Sequence, residues 1–215
     1  MPTSHRILKL QGAQKHNDNA KEEVVQKQAL TKGSFCEFEE KKRHHVGKIV
    51  ESEHVGSGNV RYTVQDPEGK SFKIAAKQIA FSCSAPANDK AAEKMLADFD
   101  AAMAASPKEL RSALDVDAET LELAWEAAAE DPDHPLTAKS FIDLVHSRSP
   151  KSALETYQSW RLLCTDMSHV FFKALKDSGR VVSFKAKAAS AVEAAKVTFC
   201  GKTENEDFSE DFCLV

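Results

Sequence analysis

Cationic side chains cluster at two places in the chain, and such clusters can bind phosphate groups because they neutralise phosphate charge and release counterions. The first cluster is the run Lys41-Lys42-Arg43-His44-His45, which is predicted to form a loop between two short strands. Its candidate phosphate contacts, with two cations further along the chain, are Lys41, Lys42, Arg43, Lys48 and Arg61. Three acids, Glu37, Glu39 and Glu40, lie immediately before this run. A solvated loop without a ligand therefore stays open as an equal alternative.

The second cluster comprises Lys173, Lys176, Arg180 and Lys185, with Lys151 further upstream. Two β-branched and aromatic runs, His169–Leu175 and Arg180–Phe184, carry most of it. The residues between them, 176–179, end in Asp-Ser-Gly, a composition that favours a tight hairpin turn. We therefore expect these cations on a β-hairpin.

Two helices are predicted before this hairpin, Thr137–His146 and Pro150–Leu163, joined by a short polar turn. Helix, turn, helix and hairpin together are the outline of a winged helix, which presents its second helix and its wing to nucleic acid. Asp117–Glu130 would be the first helix of this domain and Ala188–Val197 the closing one.

The second of these helices is a poor reader of base edges. A stripe at helical spacing, comprising Ala153, Tyr157, Trp160 and Cys164, predicts burial in the core. The opposite face offers Lys151, Ser152, Glu155 and Ser159, with no arginine or asparagine pair for bidentate base contacts. Sequence-specific DNA binding is therefore disfavoured.

The rest of the chain predicts an α+β protein with a small β unit ahead of the helices. Five short strands between Lys32 and Ser84 suggest a small five-stranded barrel. The predicted domains are a flexible arm (1–31), the β-barrel (32–84), a helical linker (85–115), the winged-helix domain (116–197) and an acidic tail (198–215).

Charge is segregated along the chain, although the net charge is only −4. Lysine plus arginine against aspartate plus glutamate number 9 and 7 in residues 31–80, giving +2. They number 4 and 13 in residues 81–135, giving −9, and 10 and 5 in residues 136–200, giving +5. The acidic excess thus lies away from both cationic clusters, which supports phosphate binding at the two basic ends.

Composition and spacing also disfavour several other classes. No apolar run approaches the roughly 20 residues of a membrane helix. The five cysteines are scattered without a C-x-x-C pair, which disfavours a zinc site and a disulfide framework. His44 and His45 are neighbours on a strand and point to opposite faces, so no metal site is predicted there. We expect no cofactor. The compartment stays open: three bases precede the first acid, Asp18, a faint chloroplast or mitochondrial targeting pattern.

Taken in order, these parts resemble the N-terminal region of the ribonuclease II/R exoribonucleases, in the form found in cyanobacteria and organelles. The resemblance spans residues 32–196. It rests on the order of Lys32–Phe38, Ala76–Phe81, Leu121–Trp125, Arg161–Leu163 with Phe171–Lys173, and Ala191–Glu193. In that family a catalytic domain follows and binds magnesium through aspartates that include an Asp-Asp pair, which this sequence lacks. Two-metal phosphodiester chemistry needs carboxylates that converge on two ions. We therefore expect this chain alone not to be a nuclease.

The resemblance implies a non-catalytic segment that guides single-stranded RNA through backbone contacts. Two alternatives stay open. The winged helix could instead be a protein-interaction scaffold that uses the acidic middle segment, or a DNA-binding regulator.

Overall fold

Alternating apolar residues build the first half of the chain into a five-stranded antiparallel sheet. The computed structural model describes residues 30–56, 59–86, 88–177 and 180–201. The strands are β1 (Phe35–Glu40), β2 (Arg43–Val55), β3 (Asn59–Gln65), β4 (Ser71–Ala75) and β5 (Ile79–Cys83). Their order in the sheet is β4-β3-β2-β1-β5. The five strands predicted between Lys32 and Ser84 are confirmed.

The sheet is curled, but it does not close into the predicted barrel. A single 3₁₀ turn, Ala76–Gln78, connects the two edge strands β4 and β5. Three residues span at most about 11 Å, so the sheet must bend until its edges approach each other at this end. Within the described residues, β4 pairs only with β3 and β5 only with β1, so the sheet is open.

Both faces of the sheet bury apolar side chains. The concave face holds one core, which comprises Cys36, Phe38, Ile49, Tyr62, Val64, Ile74 and Ile79. On the opposite face Phe35 and Phe81 pack edge-on against Phe99, with ring centroids 6.1 and 6.4 Å apart. Phe99 belongs to α1 (Asp89–Ala104), whose first turn is capped by the Asn88 side chain. The sheet and α1 belong to the first of two compact units.

The second unit begins at Ser106 and contains the remaining helices with most of a hairpin. Its helices are α2 (Pro107–Leu114), α3 (Ala118–Ala129), α4 (Ala138–His146), α5 (Ala153–Leu163), α6 (Asp166–Phe171) and α7 (Ala189–Cys200). The hairpin strands are β6 (Phe172–Asp177) and β7 (Arg180–Ala186). Side chains of Ser106, Asp117 and Thr137 each accept a backbone N–H at the start of a helix. These caps explain why helices begin at the predicted places.

Large apolar residues hold the hairpin to the helices. Phe172 and Phe184 are fully buried, and so are Leu121, Phe141 and Phe171 from the helices. Leu136 and Phe184 exchange backbone hydrogen bonds of 2.8 and 2.7 Å, which adds a one-residue third strand to the hairpin. The order helix, short strand, helix, helix and hairpin is that of a winged helix.

The structure corrects the predicted start of the hairpin. Residues 169–171 of the predicted strand His169–Leu175 belong to helix α6, and β6 begins only at Phe172. The run of β-branched and aromatic residues favours a strand, but the side chain of Thr165 accepts the Ser168 N–H and starts a new helical turn. The helix predicted from Pro150 likewise begins at Ala153, because Ser152 is its cap.

The predicted domain limits stay predictions, although the interval 85–115 contains two helices that belong to different units. Most of the predicted arm and acidic tail lies outside the described residues. Cys36, Cys83 and Cys164 are free thiols, whereas Cys200 takes part in a disulfide bond that the sequence analysis did not predict. Among the helices described here, none has the length and apolar character that a membrane span requires.

Candidate nucleic-acid interface

The turn between β1 and β2 presents two lysines in an unfavourable backbone conformation. Glu40 pairs with Arg43, so Lys41 and Lys42 are the only two loop residues. Their φ angles are 51° and 65°, and two positive values in a two-residue hairpin loop define a type I′ turn, for which Asn-Gly is preferred. The left-handed region costs about 1–2 kcal/mol for a side chain such as lysine. Both lysines are exposed, so the strained turn holds two cations in solvent.

The two other candidate cations of the sheet lie away from this turn. Lys48 pairs with Phe35 at the far end of β1 and lines a cavity of about 360 Å³ with Lys32 and the start of α1. Five residues separate Lys48 from Arg43, which is about 17 Å along a strand. Arg61 is exposed and lies directly opposite Glu53 across β2 and β3. The structure therefore brings Lys41, Lys42 and Arg43 together, but not Lys48 or Arg61.

The hairpin exposes two of its cations by alternation with buried side chains and two by their position near the strand ends. Lys173, next to the buried Phe172, is exposed, and so is Lys185, next to the buried Phe184. Lys176 is exposed and Arg180 is partly exposed near the ends of the strands. Two residues of the predicted turn, 178 and 179, lie outside the described residues. The side chains inside the hairpin fix its position, and those on its outside supply positive charge.

Helix α5 offers little to a ligand. Lys151 is exposed just before the helix, but Glu155 accepts its backbone N–H and two hydrogen bonds from the Arg148 guanidinium, at 2.5 and 2.9 Å. These hydrogen bonds, above all those from Arg148, lower the pKa of Glu155 to about 2. Ser159, predicted on the open face, is instead fully buried and donates to the Ala138 carbonyl at 2.9 Å. Of the stripe predicted to be core, Tyr157 and Trp160 are buried, whereas Ala153 and Cys164 are only half-buried.

The ten candidate contacts share one electrostatic property. Within the described residues, none of their cationic head groups forms an ion pair. Other cations do: Lys196 contacts Glu122 at 2.6 Å, and Arg148 contacts Glu155. The charges of the ten candidates are therefore available to phosphate. No group of three or more metal-binding side chains is found in the described part of the chain.

An aromatic group that the sequence does not predict lies at one end of the concave face. His45 stacks on Phe38 with centroids 5.4 Å apart, and Phe72 lies 4.9 Å from His45. The ammonium of Lys70 lies 5.0 Å from the centre of the Phe72 ring. His45 and Phe72 are partly exposed. The spacing of residues 38, 45 and 72 gives no local signal for this group, because strand pairing alone brings these positions together.

Comparison with known proteins addresses the second unit. Residues 108–191 match the family model described as Ribonuclease II, winged helix domain. The match covers less than half of the chain, so it likens this segment, and not the whole chain, to that family. It begins within α2 and ends within α7, so it includes the complete hairpin. Neither the curated proteins nor the solved structures give a match to this chain. The predicted winged helix is thereby confirmed, and the cyanobacterial or organellar type stays a prediction.

Proposed function

We propose that this chain is a non-catalytic RNA-binding segment of a ribonuclease II-like 3′–5′ exoribonuclease, which guides single-stranded RNA through backbone contacts. The wing carries the proposal. Lys173, Lys176, Arg180 and Lys185 form no ion pair with the described residues, and they lie on the hairpin of a segment that matches the ribonuclease II winged helix domain. Cations without local partners gain most from phosphate contact.

The aromatic group on the sheet favours a single strand over a duplex as the form of nucleic acid that binds. Flat rings that are partly exposed next to cations, as His45 and Phe72 are next to Lys70, suit stacked bases of an unpaired strand. The β1–β2 turn supplies further positive charge through Lys41, Lys42 and Arg43. These contacts would hold backbone and base faces without reading base edges, which accounts for guidance without sequence preference.

Duplex DNA fits this arrangement less well. A winged helix that reads DNA places polar side chains of its second helix in the major groove. In α5 Glu155 is already bound to Arg148, and Ser159 is buried. Magnesium belongs, in this proposal, to the catalytic domain of the family and not to the residues described here.

Binding of a labelled, single-stranded RNA of mixed sequence, followed by fluorescence anisotropy from 50 to 300 mM salt, tests the proposal. We expect an affinity that falls steeply with salt, since each phosphate contact on a single strand contributes about −0.7 to the slope of log K against log salt. A duplex DNA of equal length should bind more weakly, and the RNA should stay intact with magnesium present. Absence of RNA binding at 50 mM salt would refute the proposal and leave the protein-scaffold alternative.

A further inference from the structure

A second cavity lies beside the β1–β2 turn, on the face of the sheet opposite its concave core. Its volume is about 380 Å³, and its polar lining comprises Glu39, Lys41, His44, Lys77 and Gln78. These five residues come from two segments of the first unit, the β1–β2 hairpin and the 3₁₀ turn, and the start of β5 completes the lining. Neither Lys77 nor His44 is among the ten predicted contacts.

A buried carboxylate fixes the imidazole of His44. The Nδ1 atom of His44 lies 2.7 Å from Oε1 of Glu37, whose side chain is fully buried while that of His44 is 52% exposed. A buried carboxylate needs a hydrogen-bond donor, so Nδ1 carries a proton and donates it to Glu37. The second ring nitrogen, Nε2, then lies on the exposed side of the ring. Protonation of Nε2 turns His44 into a cationic donor.

Gln78 fixes the opposite wall. Its Nε2 donates to the Glu39 carbonyl at 3.0 Å, and its Oε1 accepts the Ala75 N–H at 2.8 Å. The first bond ties the 3₁₀ turn to the last part of β1, and the second closes the turn on the end of β4. Lys77 is therefore carried on a segment whose backbone is held against the strand that bears Glu39.

We propose that this cavity is a phosphate subsite in which Lys41, Lys77 and protonated His44 donate to one phosphate group of an RNA strand. The proposal rests on the function proposed above and extends it to a defined pocket. Three cations then face the phosphate, and two carboxylates lie near them: that of Glu39 in the lining, and that of Glu40, whose Oε2 accepts from Gln78 Nε2 at 3.4 Å. The Glu39 carboxylate is an acceptor suited to a ribose hydroxyl, and its charge limits the affinity for the phosphate.

Two explanations account for the position of His44 in the sheet, and they predict different results. If His44 only satisfies the buried Glu37, its replacement by glutamine changes stability but not RNA affinity. The subsite instead requires that this replacement lowers RNA affinity, and lowers it more at acidic than at alkaline pH. The charged groups that face His44 are Glu37 and Glu39 from β1, Lys41 from the turn and Lys77 from the 3₁₀ turn.

The test compares His44→Gln with His54→Gln in RNA anisotropy at pH 5.5 and pH 8. His54 is a suitable control because it is exposed on the same strand, opposite Val60. We expect His44→Gln to lose about two- to fivefold in affinity at pH 5.5, the range for one partly exposed charge contact, and little at pH 8. His54→Gln should behave as wild type at both values. Equal behaviour of the two variants would overturn the subsite.

A second arm separates failure of the subsite from failure of the proposed function. Inorganic phosphate is titrated into the full chain at pH 5.5 while the histidine side-chain resonances are followed by NMR. The His44 resonance should shift, less so in Lys41→Gln and Lys77→Gln and more so in Glu39→Gln. An unmoved His44 resonance refutes the subsite even when wild type binds RNA. RNA binding that is absent in wild type refutes the guiding function, and with it the assignment of the pocket to an RNA phosphate.

Discussion

The β1–β2 turn and the β6–β7 wing both present cations to solvent, but they do so by different means. In the turn, Lys41 and Lys42 are consecutive and take left-handed backbone conformations. In the wing, Lys173 and Lys185 alternate with the buried anchors Phe172 and Phe184, whereas Lys176 and Arg180 lie near the strand ends. The turn therefore holds its charges against a backbone preference, whereas the wing holds its charges at the exposed positions of an ordinary packed hairpin.

This difference indicates whether ligand binding is needed to explain the sequence of the turn and that of the wing. Alternation arises in any half-buried strand, and exposed lysines on such a strand need no further explanation. A lysine pair in a type I′ turn is less stable than Asn-Gly, and unfavourable backbone conformations gather at functional sites. RNA affinity should depend more on the wing, because the wing carries more cations. In the turn, a substitution that raises stability should lower RNA affinity.

Removal of a wing anchor should have the largest effect. Phe184→Ala deletes a fully buried ring and also weakens the strand that exchanges hydrogen bonds with Leu136, so we expect a loss of about 3–5 kcal/mol in the free energy of unfolding. Urea denaturation followed by tryptophan fluorescence measures this, since Trp125 and Trp160 both lie in the second unit. Val182→Ala, on the same strand but 37% exposed, is the control and should change stability by less than about 1 kcal/mol. A mild effect of Phe184→Ala would mean that the wing is not anchored as described.

Removal of the wing charges should lower affinity without lowering stability. We expect Lys173→Ala, Lys176→Ala and Arg180→Ala together to weaken RNA binding by about 10- to 100-fold and to reduce the salt slope by about two. The thermal midpoint should barely move, because these side chains form no ion pair within the described residues. A matched triple variant, Lys90→Ala, Lys94→Ala and Lys139→Ala, removes three exposed charges elsewhere and should retain most of the affinity. If both triple variants bind equally, net charge and not the wing governs binding.

The sequence predicts the parts of both units that local chemistry controls. Asp117 and Thr137 cap their helices where predicted, and the alternation of Tyr62 and Val64 places them on the buried face of β3. The sequence does not predict features that depend on contact with a residue far away in the chain. Ser159 has a polar side chain on a helix, and only the carbonyl of Ala138 makes its burial favourable. The one-residue strand at Leu136 cannot be predicted from the sequence either, because one residue gives no periodicity.

The same distinction between local and distant causes applies to the candidate site. The sequence predicts exposed cations at the turn and in the wing, since charged residues next to a turn or alternating with phenylalanine are rarely buried. It does not predict that Arg61 lies opposite Glu53, which depends on the register of β2 and β3. The pairing of His44 with Glu37 depends likewise on the register of β1 and β2. Register is fixed by the whole sheet and cannot be inferred from one strand.

A substitution in the turn should separate stability from binding. Lys41→Asn with Lys42→Gly supplies the residues that a type I′ turn prefers, so the free energy of unfolding should rise by about 1–2 kcal/mol. RNA affinity should fall at the same time, because two phosphate contacts are lost. Lys41→Gln with Lys42→Gln removes the same charges but keeps the strain, and should lower affinity without any gain in stability. A stabilised variant with unchanged affinity would remove the turn from the interface.

The smallest effect is expected at α5, where an ion pair keeps a cation away from RNA. Glu155→Gln removes the negative charge and one of the two oxygens that accept from Arg148, so the protein should lose about 1 kcal/mol of stability at pH 7 while RNA affinity rises by up to about twofold. Because the pKa of Glu155 is lowered to about 2, its contribution is complete above its usual pKa near 4.5 and disappears as pH falls towards 2. Thermal midpoints of wild type and variant should therefore differ at pH 7 and converge between pH 4.5 and pH 2. Glu193→Gln, an exposed acid on α7, removes an equal charge and should show neither change. A rise in affinity well above twofold would assign Arg148 and α5 to the RNA interface beside the wing.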